Sequence, residues 1–135
     1  MGGALDGTAI LVADDDADNR EILQYLIGQQ GGTVRSAGTA RDALEMLNTW
    51  TPDLLVLDIS MPDIDGYQLL RAIRGDARLR SVPAVAVTAH AYERDKLRCI
   101  EAGFVEHVPK PYDPAVLIDI LAGLALQKAS SPTNS

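Results

Sequence analysis

Cysteine is nearly missing from this chain of 135 residues: Cys99 stands alone, so no internal disulfide can form and no cysteine-rich metal site is supported. Aromatic residues are also scarce, 4% against 47% hydrophobic overall. That leaves Val, Ile, Leu and Ala to fill a core, as in layered α/β proteins. Positive charge is short: 12 Lys and Arg face 19 Asp and Glu, for a net charge of −7. Duplex nucleic acid is therefore not expected as a direct ligand, because it is bound by a basic face that displaces counterions. No apolar run approaches the length that crosses a bilayer. Residues 1–7, Met-Gly-Gly-Ala-Leu-Asp-Gly, lack the basic start and apolar core of a signal peptide. A cytoplasmic chain with no membrane partner is expected. Its length suits a single domain.

What is present is a series of short continuous apolar runs. The most informative is Asp53 to Asp58, where Leu54-Leu55-Val56-Leu57 ends abruptly in Asp58 and is followed by the turn-forming stretch Met61-Pro62-Asp63-Ile64-Asp65-Gly66. A run apolar at every position is the mark of a parallel strand covered on both faces by helices. Ala9–Ala13 and Pro83–Val87 are two more such runs, and shorter candidates lie at Thr33–Ser36 and Phe104–Val108.

Helical spacing fills the intervals. Asp18 with Glu21 has the form of a capping box ahead of Ile22, Leu23, Leu26 and Ile27, and Thr39 with Asp42 opens a second helix that Pro52 bounds. Gly66 begins a third, with Leu69, Leu70 and Ile73 inward. A fourth is expected from about Tyr92 to Ala102, with Leu97 and Ile100 inward and Gly103 as its cap. Asp113-Pro114 starts a fifth, carrying Val116, Leu117, Ile120, Leu121 and Leu124. Residues 1–8 are expected to be disordered and outside the fold, residues 9–126 to form the domain, and residues 127–135 to be a tail or linker. Alternating strands and helices predict a flavodoxin-like, doubly wound five-stranded parallel sheet of order 2-1-3-4-5 with five helices.

In that order the carboxyl ends of the central strands are neighbours, and ligands of open α/β sheets bind outside those ends. Asp14 and Asp15 follow the first strand, Asp58 the third, Thr88 the fourth and Lys110 the fifth. Carboxylates crowded within a few Å raise one another's pKa unless a cation neutralises them. Mg²⁺ suits such a set, since it takes oxygen ligands and pairs one or two carboxylates with phosphate oxygens. A carboxylate can also attack phosphorus to give an acyl phosphate. With a lysine and a hydroxyl at hand, the set fits phosphoryl transfer, which needs positioning and charge neutralisation above all.

These residues resemble the receiver domain of bacterial two-component response regulators. The resemblance covers nearly all of residues 9–126 and rests on Asp14-Asp15, on Asp58 in Leu57-Asp58-Ile59-Ser60-Met61-Pro62 with Asp65-Gly66 following, on Thr88-Ala89, and on Lys110-Pro111. It implies that Asp58 accepts a phosphoryl group from a histidine kinase or histidine phosphotransfer protein. Asp15, Asp58 and the backbone carbonyl of Ser60 would ligate Mg²⁺, with Asp14 bound through water. Lys110, before a cis bond to Pro111, would pair with Asp58 and then with the phosphoryl oxygens. Thr88 and His107 would be the switch residues, and the readout would be the surface of the fourth helix, fifth strand and fifth helix, with a phosphorylation-dependent homodimer left open. His107 departs from the Tyr or Phe that many receivers carry there, which implies weaker or pH-dependent coupling. Ser60 and His90 occupy positions that tune how fast water removes the phosphoryl group.

Simpler roles are expected for other residues. Asp16 is read as a solvated neighbour of the acidic pair, Asp63 and Asp65 as turn and cap residues, Cys99 as a small core side chain, and Trp50 as a cover for the second helix. Two further functions compete with the switch. An aspartyl-nucleophile phosphohydrolase usually carries a second Asp two residues after its nucleophile, where this chain has Ser60. A receiver-like module that binds partners without phosphate is disfavoured by the intact acidic set. A nucleotide or flavin module would need a phosphate-cradling loop where Asp14-Asp15-Asp16 stands.

Overall fold

The computed structural model describes residues 3–89 and 93–130. Five strands, β1 (Ala9–Ala13), β2 (Thr33–Ala37), β3 (Leu54–Asp58), β4 (Ala84–Thr88) and β5 (Glu106–Pro109), alternate with five helices. These are α1 (Ala17–Gln29), α2 (Ala40–Leu47), α3 (Gly66–Arg74), α4 (Glu93–Ala102) and α5 (Pro114–Ser130), with a 3-10 turn at Ala77–Leu79. All strand pairs are parallel and the order is β2-β1-β3-β4-β5. The doubly wound sheet read from the sequence is thus the observed fold.

Strand alternation splits the core into two layers. Leu11, Leu55, Leu57, Ala84 and Ala86 face one way, onto Ala43, Leu47, Leu69, Leu70, Ile73 and Cys99 of α2, α3 and α4. Ile10, Val12, Leu54, Val56, Val85 and Val87 face the other, onto Leu23 and Ile27 of α1 and Leu117 and Leu121 of α5. Every residue of β3 and β4 is buried. Each of the larger side chains so enclosed contributes about 1.5–3 kcal/mol by leaving water. The register places Leu57 beside Ala13, Asp58 beside Val87 and Thr88 beside Pro109, which aligns the carboxyl ends into one rim.

Local chemistry sets the helix starts. Thr39 caps α2 by accepting from the Asp42 amide, and Asp65 with Gln68 forms a capping box on α3. Asp63 holds the preceding turn with φ 69°, and the Asp113 carboxylate accepts from Ala115 N at the start of α5. Gly66 is required by a close approach: a Cβ there would lie 2.8 Å from the Asp58 carbonyl oxygen and 2.8 Å from the Ile59 Cα. Trp50 packs on the core with the Arg35 guanidinium 4.6 Å from its ring centroid.

Four expectations need correction. The cap of α1 is Asp16, not Asp18, because the Asp16 carboxylate accepts from Asp18 N and Asn19 N while its own backbone is extended. Leu97 and Ile100 point outward, 59% and 57% exposed, and α4 docks through Cys99 instead. Residues 3–8 belong to the packed structure: Leu5 is fully buried, and its amide donates 2.9 Å to the Gln30 carbonyl beyond α1. Finally, α5 continues past residue 126 to Ser130. Residues 131–135 lie outside the described residues.

Candidate active site

The rim gathers its residues from four strand ends. Asp14 follows β1 and is buried, Asp15 beside it is exposed, and Asp58 closes β3 with 2% exposure. One carboxylate oxygen from each lies within 4.8 Å of the others, a set that could hold a metal ion. Lys110 arrives from the far side of the sheet. Its amide donates 2.6 Å to the Thr88 carbonyl, and its Nζ donates 3.0 Å to Asp58 Oδ2 and 3.4 Å to Asp14 Oδ2. The Lys110–Pro111 peptide bond is cis.

The carboxylates of Asp14 and Asp58 are each held by the loop that follows. Asp58 Oδ1 accepts from Ser60 N at 2.8 Å and from the Ser60 hydroxyl at 3.2 Å. Asp14 Oδ1 accepts from Asp16 N at 2.9 Å. One oxygen of Asp58 is therefore fixed by the backbone while the other points to Lys110.

The electrostatics are those of crowded acids with one cation among them. Burial raises the pKa of Asp14, and the Asp58 carboxylate adds to the rise, against hydrogen bonds from Asp16 N and Lys110. Burial works against the charge on Lys110. Its hydrogen bond to Asp58 and the charges of Asp14 and Asp58 outweigh that and hold its pKa above the ordinary value. Tyr112, half-buried next to the same acids, is pushed up as well, by its partial burial first and by the charge of Asp14 after it. A divalent cation would relieve the repulsion that Lys110 only partly offsets.

The remaining candidates divide. Thr88 is buried at the end of β4, and His107 on β5 is half-buried with its Nε2 lacking a hydrogen-bond partner among the described residues. His90 lies outside the described residues. Two residues that sequence reasoning missed also reach the site. Asn19 Nδ2 donates 3.4 Å to Asp14 Oδ2, and Arg20 Nη1 donates 2.7 Å to the Asp14 carbonyl. Both sit on the first turns of α1, and no pattern distinguishes them from solvated helix residues until Asp16 is known as the cap. Beside the acids a cleft of about 440 Å³ is lined by Asn19, Ile22, Ala89, Lys110, Pro111 and Tyr112 among others.

Comparisons with known proteins agree with this geometry. The response regulator Rre1 of Synechocystis is 36% identical over 129 residues, covering 94% of this chain and 56% of that protein. This chain therefore spans little more than half of that regulator's length. The receiver domain of Francisella response regulator 1452 superposes with a TM-score of 0.84 at 25% identity, covering 90% of this chain and 99% of that one. The receiver domain of the sensor histidine kinase PA1611 of Pseudomonas aeruginosa, described with a magnesium ion coordinated in its active-site cleft, superposes with a TM-score of 0.79 at 28% identity, covering 88% and 98%. The family model of the response regulator receiver domain matches residues 10–122, and the chain belongs to that family.

Proposed function

We propose that this chain is the phosphoacceptor switch of a two-component or phosphorelay pathway, with Asp58 as the residue modified. The observation that carries the reading is the setting of Asp58: buried at a strand end, one oxygen fixed by Ser60, the other on Lys110, and two further carboxylates within 4.8 Å. The donor is the phosphohistidine of a histidine kinase or histidine phosphotransfer protein. An oxygen of Asp58 attacks phosphorus, the P–N bond breaks with its electron pair passing to the ring nitrogen, and that nitrogen takes up a proton from solvent.

Mg²⁺ fits the acidic set and would be held by Asp15, Asp58 and the Ser60 carbonyl, with Asp14 acting through water. It would supply charge neutralisation to the entering phosphoryl oxygens. Lys110 stays on the phosphoryl group once Asp58 carries it as an acyl phosphate, and the Thr88 hydroxyl donates to it. His107 follows Thr88 inward, and Ser60 and His90 set the access of water. The output is a population shift at the surface of α4, β5 and α5. Leu97, Ile100, Val105 and Val116, each about half exposed on those elements or beside them, make that surface fit for a partner or a second copy. The chain modifies itself rather than turning over a substrate. Among the described residues no helix is long and apolar enough to cross a membrane, and a cytoplasmic place is part of this proposal.

Transfer from a radiolabelled phosphohistidine protein tests the reading. Label should move to this chain only with Mg²⁺ present, in a hydroxylamine-sensitive form. Label that reaches the Asp58→Asn variant equally well would refute it.

A further inference from the structure

Basic charge is concentrated in one part of this acidic molecule. Residues 66–102 hold seven of the twelve Lys and Arg residues but only four of the nineteen acids, a local excess of three positive charges in a chain of net −7. Three of these arginines meet in space. Arg71 and Arg74 from α3 and Arg98 from α4 line an open groove of about 470 Å³ together with Tyr67, Glu101 and Ala102.

The groove is prepared rather than merely charged. The Arg98 guanidinium lies 4.1 Å from the Tyr67 ring centroid. That ring is itself held edge-on by Phe104 at 6.2 Å between centroids and by its hydroxyl 3.5 Å from the Cys99 sulfur. Arg74 donates 2.6 Å to the Leu79 carbonyl and is partly withdrawn from water, which lowers its pKa. Among the described residues the ion pairs are Arg78 with Asp76 and Lys110 with Asp14 and Asp58, so Arg71, Arg74 and Arg98 take part in none of them, and the three guanidinium groups outnumber Glu101, the one acid lining the groove.

We propose that the α3–α4 groove docks a short acidic segment of a partner protein, whose carboxylates pair with Arg71, Arg74 and Arg98. Guanidinium forks match carboxylates in bidentate fashion, and Arg and Tyr are the residues that most often carry interface energy. Charge complementarity also selects the length of the occupant. A polyanion such as nucleic acid would extend beyond the groove into the strongly acidic remainder of the surface and be repelled there, whereas a segment of a few acidic residues would not. None of the lining residues belongs to the acidic pocket, so the site needs neither phosphorylation nor metal.

The probe is a fluorescein-labelled hexaglutamate peptide, followed by anisotropy at low and moderate salt. A hexalysine peptide and a labelled single-stranded 12-mer DNA serve as comparators. The acidic peptide should bind, weaken as salt rises, and shift backbone amide resonances of α3 and α4 in the wild-type protein. Arg71→Glu with Arg98→Glu should weaken it at least tenfold, while Arg35→Glu with Arg41→Glu leaves it unchanged. If the first pair fails to fold, Arg71→Gln with Arg98→Gln replaces it, and the wild-type resonance map stands independently of either. Absence of peptide binding, binding indifferent to Arg71 and Arg98, or shifts elsewhere would overturn the proposal. Tighter binding of the DNA at this groove, or Arg71- and Arg98-dependent self-association of the protein alone, would equally overturn it by assigning the groove to another occupant.

Discussion

Asp53 and Asp58 stand at opposite ends of one strand and behave as different chemical objects. Asp53, just before β3, accepts the Ala9 amide at 2.8 Å while the Asp53 amide donates 2.7 Å to the Ala9 carbonyl, so the acid ties β1 to β3. Asp58, five residues on, is surrounded by Asp14, Asp15 and Lys110. One carboxylate is placed where the fold satisfies it, and the other where the fold crowds it with like charge. Stability alone would not favour such crowding. A polar group held in an unfavourable field at a strand end is a better marker of function than a polar group at a strand end as such.

Replacing Lys110 should have the largest effect on this contrast. Lys110→Ala leaves Asp14 and Asp58 without their cation, and phosphorylation by a small acyl phosphate should slow by about 100-fold or more, the scale of losing one electrostatic stabiliser of a transferring group. A near-wild-type rate in a stopped-flow assay would show that the lysine is only structural. Asp53→Ala is the counterpart at the other end. It removes the acceptor for Ala9 N and should cost about 1–2 kcal/mol in urea unfolding, with the phosphorylation rate of the folded protein unchanged. A slowed rate in the folded variant would erase the distinction between the two ends.

Smaller effects sharpen the picture. Arg20 donates to the backbone carbonyl of Asp14 and not to its carboxylate, so Arg20→Ala should weaken Mg²⁺ binding by about tenfold at most, read by calorimetry. Asp14→Asn should act in two directions. Because burial raises the pKa of Asp14, its ionised form is disfavoured by the fold. The stability it contributes is present at low pH and is lost as pH rises through the folded value. The Asn variant should therefore be more stable by about 1 kcal/mol at neutral pH without metal, and should gain less than the wild type when Mg²⁺ is added. Calorimetric melts with and without Mg²⁺ would expose an error of sign.

The sequence made the sheet and its rim legible because both signals are local. β1, β3 and β4 are apolar at nearly every position, and Asp14, Asp58 and Thr88 stand where those runs stop. The capping of α2, α3 and α5 also left marks in the sequence, whereas the cis bond before Pro111 was implied only by the family resemblance. What it hid depends on distant contacts. Leu5 is one apolar residue in a Gly-rich stretch, and only the end of α1, which supplies the Gln30 carbonyl, makes it core. On α4, Leu97 and Ile100 have helical spacing but serve the outer surface, and among the described side chains of that helix Cys99 is the buried one. Asn19 and Arg20 became site residues only once Asp16, rather than Asp18, was seen to start α1.

The most direct test of Asp58 as phosphoacceptor is intact mass after incubation with a small acyl phosphate. The wild type is compared with Asp58→Asn, each with and without Mg²⁺. The expected result is a gain of one phosphoryl group by the wild type with Mg²⁺ and by neither protein otherwise. A gain independent of Mg²⁺, or one that persists in Asp58→Asn, would contradict it. No gain at all in a protein whose melting temperature Mg²⁺ still raises would leave a metal-binding pocket that serves a phosphorylation-independent binding module.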